Sequence, residues 1–112
     1  AYSSVEVVDS SHLLFWGRGG KVWLNQLRAG CFGLTQDQIL QFEANGTSLC
    51  ALDRFQGLNR YDHLNLAGVA YCGLERFELI TEVQAKQLRD LLARLARTAA
   101  QVPAVTAELP SE

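Results

Sequence analysis

The chain has 112 residues, 48% of them hydrophobic and 20% charged, with a formal net charge of -2 and an isoelectric point near 5.6. That length suits one domain with its own core, and the composition is far from that of a disordered chain. The mild acidity argues against general nucleic-acid binding, which draws on a basic surface, and no apolar run approaches the ~20 residues of a membrane-spanning helix.

Val5-Glu6-Val7-Val8 alternates as a strand does, and Asp9-Ser10-Ser11 reads as a turn. Leu13-Leu14-Phe15-Trp16 and Val22-Trp23-Leu24 flank Gly17-Arg18-Gly19-Gly20-Lys21, which has the glycine content of a hairpin loop. Apolar residues on both faces of that hairpin predict burial on one side and partial cover on the other. Cys31-Phe32-Gly33-Leu34-Thr35 is a turn-rich connection. Next, Ile39 to Ala44 and Thr47 to Leu52 bracket Asn45-Gly46, the pair that best tolerates the positive φ angles of a type I′ turn. A two-residue loop there would set Phe42 opposite Leu49 and Leu40 opposite Ala51, with Cys50 on the other face.

Arg54 to Asn65 is the least regular stretch. Short runs through Gly68 to Cys72 and Phe77 to Ile80 predict two further strands. Thr81 and Gln84 then form a capping box, and Leu88, Leu91, Leu92, Leu95, Ala96 and Ala99 recur at helical spacing. The pattern predicts a helix from about Thr81 to about Thr98, its leucines buried on the sheet. Glu82 with Lys86 and Asp90 with Arg94 are spaced for ion pairs along it. From Gln101 onward the period is lost and prolines stand at 103 and 110, which predicts a flexible tail. The expected fold is therefore α+β: one domain over residues 1–100 and a tail over 101–112. Its sheet is small, twisted and mainly antiparallel, with five to seven short strands, open or barrel-like, covered by one C-terminal helix.

The three cysteines, Cys31, Cys50 and Cys72, permit one disulfide and leave one thiol over. Cys31 sits in the turn-rich segment and is expected to bond with Cys50 or Cys72, the remaining thiol being buried. Cysteine count alone leaves an oxidising and a reducing compartment both open. The start at Ala1 and the lack of any methionine raise the expectation that a leader, a signal peptide among the options, has been removed.

An ordered set of stretches carries a family resemblance. They are Val7-Val8-Asp9, Leu13-Leu14-Phe15, Lys21 to Leu27, Cys31 to Leu34, Leu49 to Asp53, and Cys72 to Phe77 with Ile80 and Thr81. On these the chain resembles the bacterial domain-of-unknown-function family 6491, over roughly residues 5 to 95. Members of that family look like small exported, often lipid-anchored proteins. The resemblance implies a periplasmic or outer-membrane-associated location, with a lipid anchor upstream of Ala1 compatible with it, and it implies no particular activity. A cytoplasmic location is the alternative.

Each candidate chemistry competes with a plainer reading. A zinc site drawing on Cys31, Cys50, Cys72, His12 and His63 would lack the close ligand pairs of structural sites, since the cysteines stand 19 and 22 residues apart. Neither a metal nor a cofactor is expected. Gly17 to Lys21 lacks the Ser/Thr and the following helix of a phosphate loop. Aromatic side chains on the strands fit a core better than base stacking. The favoured reading is a non-enzymatic binding or interaction module with no catalytic residues, contacting a protein or small-molecule partner through Arg60, Tyr61 and His63. The alternative is a small thiol-dependent or hydrolytic enzyme using Cys72 or Cys50 with His63 as base, oriented by Asp62 or Asp53.

Overall fold

The computed structural model describes residues 2–43, 49–58 and 71–101. Seven strands and one helix occupy them. In chain order these are β1 (Tyr2–Asp9), β2 (His12–Gly17), β3 (Val22–Gln26), β4 (Ile39–Glu43), β5 (Arg54–Leu58), β6 (Cys72–Gly73), β7 (Phe77–Ile80) and α1 (Glu82–Gln101). They form an α+β fold of two antiparallel sheets, ordered β1-β2-β3-β7 and β4-β5-β6.

Local chemistry accounts for the first hairpins. At the β1–β2 turn the Asp9 carboxylate accepts the Ser11 N–H at 2.8 Å, the turn an aspartate favours. Between β2 and β3, Gly19 and Gly20 take φ angles of 67° and 75°, a region that side chains disfavour. The turn closes with the Gly17 N–H donating to the Lys21 carbonyl at 2.8 Å.

The four-stranded sheet is apolar on both faces and is covered on both. On one side Val7, Leu13 and Phe15 form a core with Leu27, Cys31, Leu34, Phe55 and Leu74, and Phe42 of the smaller sheet packs on it. On the other, Val8, Leu14 and Val22 pack on Ala85 of α1, with Trp16, Leu24, Ile80, Leu88 and Leu92 around them. The barrel-like expectation is corrected by this arrangement. Neither sheet closes on itself, because a central sheet with two apolar faces needs two separate covers.

β4 also pairs differently from the sequence expectation. Phe42 lies opposite Phe55 and Leu40 opposite Gly57, rather than opposite Leu49 and Ala51. The Asn45-Gly46 turn itself lies outside the described residues. Tertiary packing explains the pairing: it carries Phe55 to complete burial, whereas Leu49 stays at the rim of the core. Residues 50–53 also make a turn of their own, the Cys50 N–H donating to the Asp53 carboxylate at 2.8 Å. Leu52 within it has a φ of 74°, which no strand accommodates. Arg54 to Leu58, expected to be irregular, is consequently the central strand of the smaller sheet.

The capping box forms as the sequence requires. Thr81 Oγ1 accepts the Gln84 N–H at 3.0 Å, and Gln84 Oε1 accepts the Thr81 N–H at 2.9 Å. Among the described residues neither expected ion pair along α1 forms. Arg89 reaches Glu6 on β1 instead, in a two-pronged contact at 2.7 and 2.8 Å. Trp16 donates to the same carboxylate at 3.2 Å, and the guanidinium lies over the indole. That hydrogen bond from Arg89 to Glu6 is the main cause of a guanidinium pKa raised above its usual value.

The leucine stripe is covered for only half its length. Leu88 and Leu92 are half-buried, Leu91 and Leu95 are 45% and 55% exposed, and residues 93–101 are exposed throughout. The helix is about 30 Å long at 1.5 Å per residue, longer than the sheet surface beneath it. Leu92→Ala is therefore expected to cost about 2 kcal/mol, the low end for a buried leucine, and Leu91→Ala under about 1 kcal/mol. Urea melts of the two variants check this, and equal losses would place Leu91 in a covered interface.

Candidate functional site

The residues singled out from sequence fall into two groups. Arg60, Tyr61 and His63 lie outside the described residues. Cys31 and Cys72 are joined in a disulfide, with Cα atoms 5.9 Å apart. Cys50 stands outside that bond on an exposed turn, not in the buried position expected for it. A disulfide is compatible with an oxidising compartment outside the cytoplasm. Among the described residues no helix is long and apolar enough to cross a membrane.

Among the described residues a polar cleft lies at the end of the four-stranded sheet. His12 opens β2 and sits opposite Gln26, the last residue of β3. Asn25 sits opposite Phe77 in the β3–β7 pair, so Arg76, one residue before β7, continues the row beyond Gln26. His12, Gln26 and Arg76 thus step across three strands, spanning about 10 Å at the spacing of a sheet. The row shares its face with Leu14, Leu24 and Glu78, the face that carries α1, and lies past the apolar part that the helix covers. Ser11, Arg28 and Glu75 join it from the flanking turns to line a cleft of about 700 Å³.

Buried hydrogen bonds hold this end of the sheet. Asn25 is fully buried, and its side-chain amide acts like a short strand toward the β6–β7 link. It donates to the Glu75 carbonyl at 2.7 Å and accepts the Glu75 N–H at 2.8 Å. The opposite wall is tied by Ser10 and Ser11, whose carbonyls accept the Cys31 and Leu27 N–H groups at 2.7 Å each. Asn25→Ala would leave both Glu75 groups unpaired inside the protein, at an expected cost of about 2–3 kcal/mol. A urea melt measures this, and hydrogen exchange at Glu75 should rise with it. An unchanged melt would mean that water replaces the amide.

His12 is oriented rather than loose. Its Nδ1 lies 2.8 Å from Asp9 Oδ1, the carboxylate that also closes the β1–β2 turn, and its side chain is only 15% exposed. The opposite ring nitrogen is the one left for a ligand. By contrast, none of Arg28, Glu75, Arg76 and Glu78 forms an ion pair among the described residues. The cleft therefore holds two guanidinium groups and two carboxylates that no ion pair among the described residues engages.

A second polar cluster, on the outer face of the smaller sheet, is already satisfied. Arg54 pairs with Glu43 at 2.6 Å and stacks over the Tyr71 ring at 5.1 Å. A hydrogen bond between Tyr71 and Glu43 pushes the phenol pKa above its usual value. Its members answer one another's charge, so it offers a ligand less than the cleft does.

Sequence reasoning missed the cleft because it exists only once the strand register is known. Its traceable signal is Asp9-Ser10-Ser11-His12, where an aspartate that closes a turn can also reach the residue after it. Comparison with protein-family models, with curated proteins and with solved structures finds no match in any of the three, so function is argued from this geometry.

Proposed function

We propose that the chain is a small non-enzymatic binding module of an envelope compartment, periplasmic or outer-membrane-associated, with the His12–Arg76 cleft as its ligand face. The observation that carries the binding reading is a set of charges of both signs, mounted on strands and turns whose backbone is fixed and without ion pairs among the described residues. The compartment is supported by the Cys31–Cys72 disulfide and by the resemblance to an exported family. Of the thiols that an enzyme would use, Cys72 is held in that disulfide and Cys50 does not line the cleft.

The Asp9–His12 contact favours a second reading, a hydrolase with His12 as general base, because a carboxylate-oriented imidazole serves that role. One experiment separates the two. The ¹⁵N-labelled chain is titrated with a panel of small polar metabolites while ester and amide turnover is followed in parallel. The module reading expects saturable shifts at the amides of Ser11, His12, Gln26, Arg28 and Arg76, with no turnover. Turnover that His12→Ala abolishes would overturn it in favour of the enzyme. Shifts confined to the Glu43–Arg54–Tyr71 face would overturn the assignment of the cleft.

A further inference from the structure

The charge pattern of the cleft also selects among ligand classes. Two arginines alone would suit phosphate, but Glu75 and Glu78 line the same cleft and would repel a polyanion. Two carboxylates alone would suit a divalent cation, but Arg28 and Arg76 stand among them. Among the described residues no group of three or more His, Cys, Asp and Glu side chains is placed to hold a metal. An uncharged sugar ordinarily rests on an aromatic face, and among the described residues no Phe, Tyr or Trp lines the cleft.

What remains is a ligand carrying both charges. Arg76 and Glu78 are two residues apart and Glu78 is in β7, so their side chains share a face with backbones about 7 Å apart at the rise of a strand. No ion pair joins them among the described residues, which leaves both charged heads available to a group seated between them. On this basis, and resting on the reading of the cleft as the ligand face, we propose that it takes a small zwitterion of the amino-acid type. Its carboxylate sits on Arg76 and Arg28, where planar guanidinium groups match carboxylate geometry. Its ammonium sits on Glu78 and Glu75, and the His12 ring nitrogen that does not face Asp9 is left for a further hydrogen bond. Gln26 and Ser11, which also line the cleft, supply neutral hydrogen bonds.

The test uses L-alanine as probe, with acetate and methylammonium as single-charge controls, against the ¹⁵N-labelled full chain. Alanine is expected to give saturable shifts at the cleft amides with a midpoint at least about tenfold below either control, a difference of one modest charged contact. Arg76→Gln should abolish alanine binding. Glu78→Gln should weaken alanine toward the acetate level and leave acetate itself unchanged. Both side chains are exposed, so the variants should melt like the parent. Acetate saturating the cleft as tightly as alanine would overturn the zwitterion and leave a ligand cleft for anions. So would a cleft that answers other members of the panel but none of the three probes. A cleft silent to every compound would overturn both this assignment and the binding reading beneath it.

Discussion

Reducing the Cys31–Cys72 disulfide is expected to remove about 4 kcal/mol of stability and to lower the melting temperature by roughly 15–20 °C. The bond closes a separation of 41 residues, and the chain-entropy relation for a loop of that length gives this magnitude. The structural setting argues against a smaller effect. β6 has only two residues, so its place in the smaller sheet rests on a short pairing with β5, on the hydrogen bonds of Leu74 to Leu52 and Asp53, and on this covalent tie. Cys31, at the other end, is almost fully buried in the core shared by the two sheets. Urea melts with and without reductant measure the loss, and a Cys31→Ala/Cys72→Ala double variant should lose a similar amount and ignore reductant. Thiol titration of the unreduced, denatured chain should find one thiol, that of Cys50. Three thiols, or a reductant effect under about 1 kcal/mol, would show that the bond is not formed or does not hold the sheets together.

The parts of the fold that were legible from sequence are those that neighbouring residues decide among themselves. Asp9 at the β1–β2 turn, the glycines after β2 and the Thr81–Gln84 cap each act over four residues or fewer. The apolar residues on both faces of Leu13 to Trp16 predict burial on one side and partial cover on the other, whereas the structure covers both faces, one with a second sheet that the pattern does not predict. At β4 a local rule competed with a distant one. The Asn45-Gly46 pair suggested an early return, but the burial gained by Phe55 and the Asp53-closed turn at Cys50 place the partner strand later. Hydrophobic periodicity marked the leucine face of α1 without saying how far the sheet beneath it extends. Leu91 and Leu95 belong to that face by spacing yet stand exposed, while Leu88 and Leu92 are the leucines that pack on the sheet.

The candidate site was less legible for a related reason. Loop composition pointed to Arg60, Tyr61 and His63, since aromatic and basic residues on connections often make contacts. Those three lie outside the described residues, and the cleft assembles other residues, from 11 to 78, that meet only through the His12–Gln26 and Asn25–Phe77 register. A one-residue slip in either pair would send these side chains to the other face. Asn25, whose side chain bonds both backbone groups of Glu75, ties β3 to the β6–β7 link at this register.

Phe15→Ala is expected to be the most damaging single substitution, at about 3–5 kcal/mol for emptying a buried aromatic site. Phe15 is 1% exposed and lies where the layers meet. Its ring is edge-on to Tyr2 at 5.3 Å and to Phe77 at 5.0 Å, and tilted against Phe42 of the smaller sheet at 5.9 Å. Such pairs contribute about 0.5–1.5 kcal/mol each beyond area, though their effects do not simply add. Against a total stability of about 5–15 kcal/mol, the alanine variant could fall below the folding threshold. Phe15→Leu keeps the apolar bulk and loses only the ring geometry, so it should fold and cost about 1–2 kcal/mol. Hydrogen exchange on that variant should rise in β4 and β5 as well as in β2, because Phe42 and Phe55 pack against each other as well as on the shared core. If protection in β4 and β5 stayed at the parent level while β2 loosened, the smaller sheet would be folding independently and the shared aromatic core would not be what joins the two layers.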